Sequence, residues 1–77
     1  RTINVVGNAG PGWEVELYIN NRLVDYATAD ASGQYNFLAD VDYGKTRITL
    51  KKYGPTGEVQ VEERDISTPV SLVGQGK

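Results

Sequence analysis

Apolar and polar residues alternate with a period of two along nearly the whole chain, which marks extended strands rather than helix. Thr2 to Val6 is the first such run. Trp13, Val15, Leu17 and Ile19 then alternate with Glu14, Glu16, Tyr18 and Asn20, as a half-buried strand with one wet face requires. Arg22 to Ala29 follows, with Val24, Tyr26 and Thr28 as its inward set. Gln34 to Leu38 carries Tyr35 and Phe37 inward, and Val41 continues that face. Thr46, Ile48 and Leu50 point one way while Arg47, Thr49 and Lys51 point the other. Glu58 to Ile66 closes the series with Val59 and Val61 inward. Ile66 falls off that register, so a bulge near Glu62-Glu63 is expected. No window carries a helical apolar stripe, and β-branched and aromatic residues fill the apolar positions.

The runs are separated by residues that break regular structure. Gly7 to Gly12 is a loop, and Asn20-Asn21 is a tight hairpin, because Asn tolerates the left-handed conformation such turns demand. Asp30-Ala31-Ser32-Gly33 is the strongest turn signal, pairing a side chain that bonds back to the backbone with a residue free to take positive φ. Asp42-Tyr43-Gly44 and Gly54-Pro55-Thr56-Gly57 complete the set. Six to seven short strands with turn signals at about 8–12-residue spacing predict an all-β fold, a small antiparallel β-sandwich. Residues 1–66 form that domain, and 67–77 read as an exit segment or linker.

Composition narrows the chemistry. With 77 residues the chain closes one core, and a domain this size buries only about 60% of its unfolded surface. It has no Cys, His or Met, so disulfides and thiolate or imidazole metal sites are excluded. Arg1 opens the chain without an initiator Met, which predicts a processed product or a piece of a longer protein. No apolar run reaches the roughly 20 residues of a membrane span, so this segment is not expected to insert directly into a membrane. Net charge is −2 with acids and bases interspersed, unlike the clustered Lys and Arg of a nucleic-acid surface. Arg47, Lys51 and Lys52 come nearest to a basic cluster, but alternation splits them between two faces.

The stretch Thr28-Ala29-Asp30-Ala31-Ser32-Gly33-Gln34-Tyr35-Asn36-Phe37, followed by Val41-Asp42-Tyr43-Gly44, resembles the turn region of bacterial immunoglobulin-like and prealbumin-like (carboxypeptidase regulatory-like) modules. Upstream, Glu14 to Val24 resembles their strand, Asn-bearing turn and strand, so the resemblance covers about Glu14 to Ile66. Lys45-Thr46-Arg47 stands where those modules carry a Tyr or Val run. The resemblance implies a β-sandwich module of a surface or outer-membrane protein, and Tyr53 to Glu58 with Glu62-Glu63 faintly resembles a region of pilus ushers.

No catalytic residues are expected. General base work would fall to carboxylates or a desolvated Lys, and Glu14 with Glu16, or Asp40 with Asp42, sit on one solvated face about 7 Å apart. Asp30 with Ser32, or Asp40 with Asp42, offers two or three oxygens to calcium, short of the six to eight the ion takes, so turn roles are the nearer reading and no metal or cofactor is expected. Aromatics offer a binding chemistry instead. Trp13 either plugs one end of the sandwich or presents a stacking surface, while Tyr18 and Tyr53 on the polar face suit partner contact or, equally, packing across strands against each other. The charged run Glu62 to Asp65 either defends a sheet edge or borders one that accepts a neighbour's strand. The expected function is a non-catalytic structural or interaction module, a spacer or adhesin-type domain of a bacterial cell-surface or secretion-associated protein. Its partners would be neighbouring domains or another protein, in an extracytoplasmic setting. The alternatives are a plug or gating domain of an outer-membrane usher and a carbohydrate-binding accessory domain of a secreted hydrolase.

Overall fold

In the computed structural model, which describes residues 1–69, six antiparallel strands form two facing sheets. The strands are β1 (Thr2–Asn8), β2 (Glu14–Ile19), β3 (Arg22–Thr28), β4 (Gln34–Asp40), β5 (Gly44–Tyr53) and β6 (Val59–Thr68). One sheet holds β1 and β4 alone; the other has the order β3-β2-β5-β6. The all-β sandwich read from the alternation is therefore the fold. β6 runs to Thr68, two residues past Ile66, and residues 70–77 of the expected exit segment lie outside the described residues.

The turns follow their chemistry. Asn20 and Asn21 both take positive φ, 49° and 69°, so a two-residue hairpin joins β2 to β3. At the β3–β4 corner, Asp30 Oδ1 accepts the Ser32 N–H, the Ser32 hydroxyl and the Gln34 N–H at 2.7–2.9 Å. Gly33 there sits at φ +86°, and a Cβ on it would run into the Ala9 carbonyl. The Ala9 N–H donates to the Gly33 carbonyl at 2.7 Å, tying the β4 start to the end of β1. Gly33→Ala is expected to cost about 1–2 kcal/mol, combining left-handed strain with the forced retreat of that backbone contact. A urea melt with the midpoint unchanged would refute this.

The core lies between the sheets. Val15 and Leu17 of β2 and Ile48 and Leu50 of β5 are fully buried, facing Val5 of β1 and Tyr35, Phe37 and Ala39 of β4. The Tyr35 and Phe37 rings meet in a tilted contact, with centres 5.8 Å apart and planes at 52°.

Two strands present the opposite face from the one their apolar pattern suggests. Tyr26 is 72% exposed and Thr28 is exposed too, so neither faces inward, whereas Val24, ahead of the slip, lines the cleft between the sheets with Ile19, Ala39 and Val41. From the hairpin, an unbroken ladder would set Tyr26 opposite buried Val15. Instead the β2–β3 register slips between Leu17 and Tyr18, pairing Leu17 with Asp25 and Glu16 with Tyr26. Asp25 Oδ1 accepts the Tyr26 N–H at 2.8 Å beside the slip. One extra residue reverses the facing of everything beyond it. In β6, Val59 and Val61 are 61% and 58% exposed. Glu62, Arg64, Ile66 and Thr68 face inward, with Gln60 of the same parity exposed at the strand's start; the ladder to β5 is continuous, and there is no bulge at Glu62-Glu63. Ile66 is thus in register. Polar residues take this inner face because Lys52 of β5, buried on it, requires a carboxylate.

Candidate interaction face

The outer face of the four-stranded sheet is built from three cross-strand rows. Reading from β3 to β6, they are Thr28–Glu14–Tyr53–Val59, Tyr26–Glu16–Lys51–Val61 and Leu23–Tyr18–Thr49–Glu63. The register alone places Tyr18, Tyr26 and Tyr53 on one face around Glu16. Glu16 Oε1 accepts both the Tyr18 hydroxyl, at 2.9 Å, and the Tyr53 hydroxyl, at 2.8 Å. The Lys51 ammonium lies 4.5 Å from the centre of the Tyr18 ring. Thr28 donates to Glu14 Oε2 at 3.0 Å.

These bonds fix the two rings. Hydrogen bonding to the Glu16 carboxylate holds both phenols protonated and raises their pKa above the ordinary value, so the pair keeps its geometry across the neutral range. Tyr26 has no such tether and is the most exposed large hydrophobic residue described. Leu23 adds apolar area on the same edge strand, and Val59 and Val61 do so on the opposite edge, beyond β2 and β5. The result is a broad aromatic and aliphatic surface with a fixed centre, crossed by a carboxylate and an ammonium.

Of the aromatics expected to contact partners, the structure brings Tyr18 and Tyr53 together through Glu16. Trp13 stands apart from that tether. It precedes β2, its backbone bonds to Gly10 and Ala29, and its half-buried indole is wedged against Gly10 and Gly54. Tyr26, Val59 and Val61 belong to the face and are missed by the sequence reading, which turned them inward. The slip beside Asn20-Asn21 has no signal in the hairpin itself. For β6 the signal is legible: Gln60, Glu62, Arg64 and Ile66 share parity, and Lys52 shares their face through its pairing with Gln60.

A second polar cluster lies between the sheets. Lys52 Nζ donates to the Asn8 carbonyl at 2.7 Å and to Glu62 Oε1 at 2.9 Å, with the Tyr35 ring centre 5.3 Å away. Glu62 Oε2 accepts from Arg64 Nε at 2.6 Å, and Arg64 Nη2 is 3.5 Å from the Tyr35 hydroxyl. The bonds from Arg64 and Lys52 hold the Glu62 carboxyl at a pKa of about 2. Burial opposes the Lys52 charge, but the Glu62 and Tyr35 oxygens outweigh it and raise its pKa. A carboxylate so fully engaged is a poor base, and an ammonium so stabilised is a poor nucleophile.

Asp30 and Ser32 bond to each other and to the turn backbone, and no group of three or more acidic, His or Cys residues is arranged to hold a metal among the described residues. Asp40 bonds to Thr2 at 3.0 Å. Comparison with protein-family models, with curated proteins and with solved structures finds no match to this chain.

Proposed function

We propose that this chain is a non-catalytic interaction module of the immunoglobulin-like or prealbumin-like type, a spacer or adhesin-type domain of a bacterial cell-surface or secretion-associated protein. The observation that carries the reading is the tyrosine face. Tyr18 and Tyr53 are locked on Glu16 while Tyr26, Val59 and Val61 stand open beside them. A solvated sheet face gains nothing by exposing Tyr26, Val59 and Val61 around two half-buried, tethered tyrosines, whereas rigid aromatic area with few rotamers to freeze suits a contact surface. The absence of His and Cys from the sequence, with Glu62 and Lys52 tied to each other, favours binding over catalysis. The proposed partner is a neighbouring domain or a second protein in an extracytoplasmic setting.

Hydroxyl-radical footprinting tests this. The oxidation rates of Tyr26, Val59 and Val61 are compared between the purified 77-residue chain and the same chain in its cellular setting. They are expected to fall together in the cell, while exposed Leu38 on the opposite sheet keeps its rate. Equal rates at all four positions would remove the reading.

A further inference from the structure

Three of the four outer strands of this sandwich carry charge along their edges. β6 has Glu62, Glu63, Arg64 and Asp65; β3 has Arg22 and Asp25; β4 ends on Asp40 and runs close to β3. β1 alone has neither a charged residue nor a proline from Thr2 to Asn8, and four of its seven residues are β-branched. Charge and proline are how exposed edges avoid pairing, so β1 lacks the usual defence.

Its backbone is also set for a partner. β1 pairs with β4 from Thr2↔Asp40 to Asn8↔Gln34. The bonds flanking that ladder belong to odd-numbered residues of the β1 side: the Val41 N–H donates to the Arg1 carbonyl, and the Ala9 N–H to the Gly33 carbonyl. Alternate residues of an antiparallel ladder face opposite edges, so Thr2, Asn4, Val6 and Asn8 turn their N–H and C=O groups away from β4. Lys52 confirms the direction by reaching the Asn8 carbonyl from β5. Among the described residues, β1 pairs with no other strand, and its Gly7 lies against the Arg64 guanidinium of β6.

We propose that the free edge of β1 accepts a single extended segment of another polypeptide by antiparallel β-augmentation, lengthening the two-stranded sheet over β6. The imbalance of two strands over four leaves that position open. A lone strand fits. Half-buried Ile66 lies on β6, and the Arg64 guanidinium, with a side chain 32% exposed, reaches beneath β1 against Gly7 and the Tyr35 hydroxyl, at the margin of that position. Lys52 and Arg64 against Glu62 leave one net positive charge there. The segment recognised therefore alternates, with an apolar residue and a carboxylate on its inward side.

The probe is a synthetic peptide of about nine residues alternating Val and Thr, with one Glu at an inward position, titrated into the 77-residue chain. Amide exchange at Thr2, Asn4 and Val6 is expected to slow about tenfold or more at saturation. Replacing the peptide Glu by Gln should weaken binding several-fold. Asn4→Pro removes an N–H that the β4 ladder does not use, so it should abolish binding while shifting the melting temperature by only a few degrees. Tyr26→Ser should leave peptide binding unchanged, which separates this edge from the tyrosine face. The proposal is overturned by protection that appears on β3 or β6 amides, by protection already present without peptide, by a concentration-dependent dimer that protects the same amides, or by an Asn4→Pro chain that binds as the parent does. The exchange map decides even where Asn4→Pro does not fold.

Discussion

Leu17→Ala is expected to destabilise the domain by about 3–4 kcal/mol and to leave much of the chain unfolded at 37 °C. Leu17 is fully buried and faces fully buried Leu50 across the β2–β5 ladder, midway along the core. The loss has two parts: the transfer of three carbons back to water and the void that remains because both strands are held in register on either side. In a large protein that sum is tolerable. A single core in a chain of this size supplies about 3–5 kcal/mol in all, and no disulfide supplements it here. Urea melts followed by circular dichroism measure the loss, with Leu38→Ala as the control. Leu38 is 69% exposed on the outer face of β4, so its truncation should stay within about 0.5 kcal/mol. A Leu17→Ala chain within about 1 kcal/mol of the parent would mean that β2 and β5 do not form the centre of the core.

The contrast between Leu17 and Tyr26 shows how much of this fold is legible in the sequence. Strand existence is legible because turns have their own chemistry: Asn20-Asn21, Asp30 with Gly33, and Gly57 at φ +92° each take up the conformation their residue types favour. Facing is legible where one parity is purely apolar, as in Val15 and Leu17 or Tyr35 and Phe37. It fails where parity is decided by something remote. In β3 one inserted residue separates the hairpin from Tyr26, and neither Val24 nor Asp25 announces it. In β6 the valines mislead because β6 is only partly covered by a two-stranded sheet, and its inner face has to satisfy Lys52. The candidate face was half legible for the same reason. Tyr18 and Tyr53 lie on strands whose parity is unambiguous, while Tyr26, Val59 and Val61 do not. What the face binds is a property of the partner's surface and has no trace in strand alternation.

The Lys52–Glu62 pair gives the second large effect, and its sign depends on which charge is left behind. Lys52 has a side chain only 8% exposed, so it relies on Glu62 and on the Asn8 carbonyl for what water would otherwise supply. Glu62→Leu strands that ammonium and is expected to cost about 2 kcal/mol. This is below the roughly 3–5 kcal/mol of a sealed ion pair, because the Glu62 side chain is 40% exposed and Lys52 keeps one acceptor. Lys52→Met with Glu62→Leu removes both charges, so the double variant should be more stable than Glu62→Leu alone. The same pair sets the acid limb of stability. The Glu62 carboxyl is held at about 2 when folded, against an ordinary value of 4.5, so its contribution is complete above about pH 5 and disappears as pH falls toward 2. Sealed from water, that difference would be worth about 3 kcal/mol; its exposure reduces this to about 1–2 kcal/mol. Melting temperatures between pH 6 and 2 should therefore fall more steeply for the parent than for Glu62→Gln, and the two curves should converge at the acid end. Parallel curves, or a double variant less stable than Glu62→Leu, would show that Lys52 finds its compensation elsewhere and that the inner face of β6 is polar for some other reason.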